Sequence, residues 1–258
     1  MTSSSRWTRT ELKKLLYKLL GTGLVVLFWW FLSSSFAFTG MILSPVDTVV
    51  EIGKEMQHED FWTSVFRTLF DALTSFSVGF VCAFSIAITA LRFKNLRYIL
   101  APVITVLQSA PTIALIILFV LILPLELLTF AVSFLVIFPL LFENLLVSLE
   151  SAPTSEIEAA EVLGLSFGAR VLHIYIPNAF LLIVANVNSA FELNYKVVIA
   201  AEVLGRVSIA SIGSNILAAK QSLDFSRSFT WLVVSVVMTF VLDSVGARIY
   251  KAASSIRV

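Results

Sequence analysis

The sequence predicts an all-α membrane protein with about six transmembrane helices, and three observations carry that reading. Of its 258 residues, 58% are hydrophobic and only 14% are charged, whereas soluble domains run at about 45–50% and about 25%. Apolar runs close to the ~20 residues needed to cross a bilayer recur along the chain, separated by short charged segments. The basic residues gather in alternate connections, as the positive-inside rule requires of a multi-pass protein. The same composition excludes other classes. With a net charge of +1, no basic run with interleaved aromatics and no phosphate-cradling glycine loop, nothing points to nucleic acid. Cys82 is the one cysteine, so there is no disulfide framework, and His58 and His173 are too far apart in sequence to suggest a metal site.

The elements follow in order. Residues 1–18 form a Ser/Thr-rich, basic N-terminal segment, and residues 19–38 form an apolar run too long for a signal-peptide core and without a clear small-x-small cleavage site. The run reads as an uncleaved first span with its N-terminus inside. Residues 41–60 form an outer loop, where the spacing of Val46, Val49, Val50 and Gly53 predicts a short amphipathic helix. Arg67 and Asp71, four apart, are expected to pair at the start of the second span, which ends at Leu91 before the inside loop with Arg92, Lys94 and Arg97.

Residues 99–123 make a third span interrupted by Pro102 and Pro111. Its polar residues Gln108, Ser109 and Thr112 are a candidate lining of a solute path, with interhelical hydrogen bonding as the equal alternative. Pro124 and Glu126 mark a tight outer turn, and residues 127–147 form the fourth span. Residues 179–198 form the fifth. It carries Asn186, Asn188, Ser189, Glu192, Asn194 and Lys196. A charge at mid-bilayer costs about 2.5–3.5 kcal/mol on insertion scales, so these groups should face the bundle interior, with Glu192 and Lys196 paired. Asn188, Glu192, Asn194 and Lys196 are therefore candidates for lining the path, with a purely structural polar seam as the alternative. Residues 200–227, with Glu202, Gly205, Arg206, Gly213 and Lys220, are too polar to span and should close over the outer end. Residues 229–249 form the sixth span, and residues 251–258 end the chain inside. This topology puts twelve cations inside, Arg6 and Arg257 among them, and six outside. The whole of 1–258 reads as one domain, with the first four spans in 19–147, a cytoplasmic loop in 148–177 and two further spans in 178–250.

That loop is the most informative stretch. Pro153 discourages a preceding helix, Ser155 can cap a new one with Glu158 completing a capping box, and Gly164 is placed to end it in the left-handed conformation. Ser166 can cap a second short helix through Arg170 and His173, and Pro177 suits the first turn of the next long one. The result is a bent helical elbow. Ala159 and Ala160 leave its middle without bulk, so that another protein can receive it in a groove.

Glu158-Ala159-Ala160, three residues, Gly164, nine residues, Ile174, one residue, Ile176 and Pro177 together resemble the Glu-Ala-Ala loop of permease subunits in binding-protein-dependent (type I) ABC importers. Six matches at fixed offsets should arise by chance roughly once per million start positions. The one departure is Ile176 where leucine is usual. Ser44-Pro45, Arg67 with Gly79-Phe80, and Ala201-Glu202-Val203-Leu204-Gly205 extend the likeness toward the nitrate, sulfonate and taurine branch. Glu192–Lys196 and Ser211-Ile212-Gly213 depart from that branch, so the substrate is not read from it.

The resemblance implies a non-catalytic permease of the inner (plasma) membrane. It would pair with a second permease chain, expected to be an identical copy, and receive solute from an external binding protein. It would dock two ATPase subunits through Glu158, Ala159, Ala160, Gly164 and Arg170. ATP and Mg would reside on those partners, since the chain has no Gly-x-x-x-x-Gly-Lys-Ser/Thr loop of its own and no cofactor is expected on it. The competing reading is an ATP-independent carrier or channel using Glu192, Lys196 and Glu202 as an ion relay. A membrane scaffold would leave the polar fifth span without a purpose.

Overall fold

A hydrocarbon environment offers the backbone no hydrogen-bond partner, and the chain answers by being helical almost throughout. The computed structural model describes residues 9–36, 42–205 and 209–256, and among these there is no strand. Arg6, Arg206, Arg257 and the end of the predicted first span at Phe38 lie outside the described residues. Among the described residues, five helices are long and apolar enough to cross a membrane, and a sixth crossing is available if one bent pair counts as a span.

Helix α1 (Arg9–Ser35) stands at the side of the bundle. It is tied on by the Trp29 indole N–H donating to the Leu43 carbonyl at 3.0 Å, the Ser33 hydroxyl donating to the Ile42 carbonyl at 3.1 Å, and Trp29 against Phe229. The amphipathic helix α2 (Pro45–Glu55) forms as its spacing predicts. Ser44 caps it by accepting from the Asp47 N–H, and Pro45 occupies the first turn, where its missing N–H costs nothing. Its Val46, Val49 and Val50 face outward, while Thr48 and Glu55 turn inward and Glu55 pairs with Arg227 at 3.0 Å.

Helix α3 (Glu59–Arg92) is the spine. Ala72, Ser75, Gly79, Ala83, Ala87 and Ala90 run down its buried side, and a Cβ at Gly79 would already meet Ile137 at 3.1 Å. Small residues at helical spacing let backbones approach closely, which replaces the hydrophobic drive that lipid removes. Along this seam α3 packs on α6 (Leu125–Glu150), and Leu141, Leu145 and Leu149 of α6 fill the core with Phe76. The Arg67–Asp71 pair forms as predicted, at 3.3 Å.

The third predicted span is not one helix. It divides into α4 (Lys94–Ser109) and α5 (Thr112–Ile122), bent by 91° at Ala110 and Pro111. Pro111 pushes the residue before it out of the helical region, and Ala110 is accordingly extended at ψ 126°. Pro102, by contrast, is accommodated inside α4. The turn lets Ile116 of α5 pack with Leu128, Val132, Val197 and Ala201.

After a short helix α7 (Thr154–Val162), the chain makes α8 (Phe167–Arg170), a π-helical turn (Val171–Tyr175) and α9 (Ile176–Gly205). Then come α10 (Ile212–Gln221) and α11 (Phe225–Ile256). The predicted closing segment after the fifth span is thus two pieces: α9 continues to Gly205, and α10 folds back onto α9, α11 and the start of α3. A buried carboxylate holds this corner. Glu202, fully buried, accepts from the Thr68 hydroxyl at 2.9 Å and from the Gly213 N–H at 3.1 Å, while Thr68 accepts from the Ile212 N–H at 3.0 Å. The positive end of α10, further capped by Ser211, thereby rests on a carboxyl oxygen of Glu202.

The corner has no slack. A Cβ on Gly213 would lie 2.4 Å from the Glu202 Cβ and 2.7 Å from the Val203 nitrogen. Gly213→Ala should therefore destabilise the detergent-purified protein by about 1–3 kcal/mol, the usual cost of overpacking, read as a fall in melting temperature. Gly53→Ala, where the added Cβ meets nothing within 4 Å, should leave it unchanged or slightly higher.

Candidate functional site

The elbow is built from the backbone outward. Helix α7 starts at Thr154 directly after Pro153, which makes no side-chain cap, so the predicted Ser155–Glu158 capping box does not form. Pro153 with its φ of −59° leads straight into the first turn, and Ser155 is already inside it. The C-terminal end is as predicted. Gly164 has φ +72°, with the Leu165 N–H bonded to the Ala160 carbonyl at 2.9 Å and the Gly164 N–H to the Glu161 carbonyl at 3.0 Å. These are the paired bonds of a Schellman motif.

Glu158 and Ala159 are exposed, whereas Ala160 is buried. The turn also presents two apolar side chains that the sequence reading passed over, Val162 at 88% and Leu163 at 76% exposure. The knob is an apolar tip with a carboxylate beside it.

Behind the tip the elbow is braced. Arg170, mostly buried, donates to Glu161. Arg92 lies over the Phe167 ring at 5.3 Å, Arg97 bridges to Glu150 at 3.1 Å, and Asn178 donates to Glu156 at 2.9 Å. Ser166 caps α8 as predicted, accepting from the Ala169 N–H at 3.3 Å. The second helix of the elbow, however, is not separate. From Phe167 to Gly205 the chain is one helical run of 39 residues. The π-helical turn, with the Ile176 N–H bonded five residues back to Val171, takes up the N–H missing at Pro177 without breaking the rod.

The polar residues predicted for a path divide among different helix pairs. Gln108 donates to Glu143 of α6 at 2.8 Å, Ser109 bonds back to the Thr105 carbonyl, and Thr112 opens α5 beyond the bend. Asn186 donates to Ser148 at 3.0 Å. Asn194 is fully buried, donating to the Ala72 carbonyl at 2.8 Å and to Ser75 at 3.2 Å, so it joins α9 to α3 and reaches no open surface. Asn188 donates to Glu192 at 3.1 Å, and its side chain sits against Gly246 of α11, where any Cβ would collide with it.

Glu192 and Lys196 do not make the predicted ion pair, since among the described residues none is found between them within 4.0 Å. Both instead line a cavity of about 490 Å³ with Val236, Thr239, Phe240 and Asp243 of α11. Asp243 and Glu143 were not anticipated. Each is a single carboxylate in a long apolar run, and that rarity was the available signal. Glu202, offered in the ion-relay reading, is committed to the α10 corner and does not line this cavity.

Gly164 leads to a local test. A Cβ there has open space, so the cost of Gly164→Ala is the left-handed backbone alone, about 1–2 kcal/mol. Amide exchange at Leu165 should speed up by roughly tenfold, with the melting temperature of the whole protein little changed.

The comparisons with known proteins agree on the architecture. The inward-facing structures of the MetNI methionine ABC transporter superpose with TM-scores of 0.62 and 0.64 at 16% and 17% identity. They cover 74% of this chain and 94% and 96% of those chains. An amino acid ABC transporter crystallised with histidines gives 0.61 at 16% identity over 75% of this chain and 92% of that one. At such identities the likeness is one of fold. No curated protein matches the sequence. Residues 75–254, most of the chain and including the elbow, the cavity and α10, match the family described as binding-protein-dependent transport system inner membrane component, and the protein belongs to that family.

Proposed function

We propose that this chain is the permease subunit of an ATP-driven importer, forming the path for a small polar solute handed over by an external binding protein. Two copies pair, with the elbow and both termini on the cytoplasmic side, and each copy docks one ATPase subunit. ATP and Mg are bound by those partners, and this chain contributes no catalytic group. The observation that carries the reading is the elbow itself, a braced helix whose exposed tip pairs Val162 and Leu163 with Glu158 and ends in a left-handed glycine.

The division of labour follows from the residues. Ala159 and the apolar tip enter a groove on the ATPase, and Glu158 gives the contact an electrostatic register. Arg170, held by Glu161, and Phe167, held under Arg92, tie the tip to the foot of the α9 run. A displacement at the ATPase then moves α9, and with it Asn188, Glu192 and Lys196.

The test is a pull-down of the tagged chain in mild detergent, followed by mass spectrometry and an ATPase assay. The wild-type chain should recover an ATPase subunit. Val162→Asp with Leu163→Asp, or Gly164→Asp, should lose it while the chain remains in the membrane, and uptake should fall at least tenfold. Unchanged uptake in the Gly164→Asp variant would refute the docking role.

A further inference from the structure

The cavity between α9 and α11 contains more information than a generic polar path. Glu192 lies in the middle third of α9 and Asp243 in the middle third of α11, and the two carboxyl groups face one another across the seam, with Lys196 one turn along. Thr239 and the Phe240 ring complete the wall. If the charges served packing alone, Lys196 would close on Glu192, its neighbour four residues back. Instead Glu192 accepts from Asn188, and the Lys196 and Asp243 side chains are exposed. An ammonium near mid-span that makes no ion pair is costly unless water or a solute meets it.

We infer that this cavity is the solute-binding subsite and that it takes a small solute bearing a protonated amine, as a cation or a zwitterion, in preference to a simple anion. The inference rests on the importer reading above. Two carboxyl groups and one ammonium make the lining predominantly acidic, which favours an ammonium group over nitrate or an alkyl sulfonate. Phe240, 67% exposed, adds an aromatic face of the kind that holds organic cations. Lys196 offers a place for a carboxylate or sulfonate at the other end of a zwitterion. A hard divalent ion is a poor fit, since it needs six or more oxygens and Lys196 stands beside the two carboxyl groups of the lining. Among the described residues no group of three or more His, Cys, Asp or Glu could hold a metal. At about 490 Å³ the cavity lies within the usual size range of small-molecule sites.

The experiment uses the full transporter complex in nanodiscs and reads melting temperature against millimolar choline, β-alanine, nitrate and methanesulfonate. Choline and β-alanine should protect in a concentration-dependent way, and nitrate and methanesulfonate should not. Glu192→Gln combined with Asp243→Asn should weaken amine protection at least tenfold. Lys196→Gln should keep choline protection and lose most of that by β-alanine. Each variant's ligand-free melting temperature checks its folding, and Asp243→Asn alone, at an exposed position, stands in if the double variant is unstable. Better protection by nitrate or methanesulfonate, protection by none of the four, or amine protection untouched in the variants would overturn the inference. Co-purification of the ATPase is read in parallel. A chain that docks an ATPase yet prefers anions removes this inference alone, whereas a chain that binds amines without any ATPase partner removes the importer reading.

Discussion

Lipid provides no hydrogen bonds, and most of the arrangement follows from that. A polar side chain in a spanning helix has to look for its partner within the protein, and for many of them the structure shows one. Serines and threonines bond back to carbonyls three or four residues earlier, as Ser75, Ser85, Thr89 and Thr105 do. Asn194 bonds across to α3, Asn186 to α6, and Glu202 to Thr68 and the start of α10. These bonds connect helices that apolar contact alone would not orient, because lipid tails are as apolar as leucine. The exceptions are then informative. Glu192, Lys196 and Asp243 line an open cavity together, and Lys196 makes no ion pair with Glu192 there.

The second organising feature is mechanical. The run from Phe167 to Gly205 passes from the elbow through the core to the corner under α10 without a break. At a rise of about 1.5 Å per residue, Arg170 and Glu192 are roughly 33 Å apart along one rod. A π-helical turn at Val171–Tyr175 keeps Pro177 from interrupting it. The foot of the rod is clamped by Arg92 on Phe167 and by Glu161 on Arg170, and its far end is fixed by Glu202 on α10. A force applied to the exposed tip at Val162 and Leu163 therefore has a stiff element to act on.

What could be read without coordinates was whatever depends on local chemistry. Length and apolarity specify spans, because a bilayer has a set thickness. The Ser166 cap, the left-handed Gly164, the amphipathic α2 and the Arg67–Asp71 pair each depend on residues close to one another in the chain, and the structure has all of them. The Ser155 cap failed for an equally local reason: Pro153 had already begun the helix. The Glu158–Pro177 spacing identified the family, because a motif with fixed offsets survives any ambiguity in how the helices pack.

The rest depended on which helices meet. Nothing in the sequence chooses Pro111 over Pro102 as the 91° bend; with α5 bent away, Ile116 packs on Leu128 and Val197. Of the polar residues on the fifth span, Asn194 became a buried bridge to α3 and Glu192 a cavity wall, although they are two positions apart. On a helix two positions are about 200°, so one faces the core when the other cannot. Asp243 gained significance only because α11 places it opposite Glu192. The sequence alone determined the membrane class, the elbow and the family, since these follow from composition and from spacing along one chain. The tertiary structure alone decided which charges are satisfied and which stay open, because that depends on contacts between residues tens of positions apart.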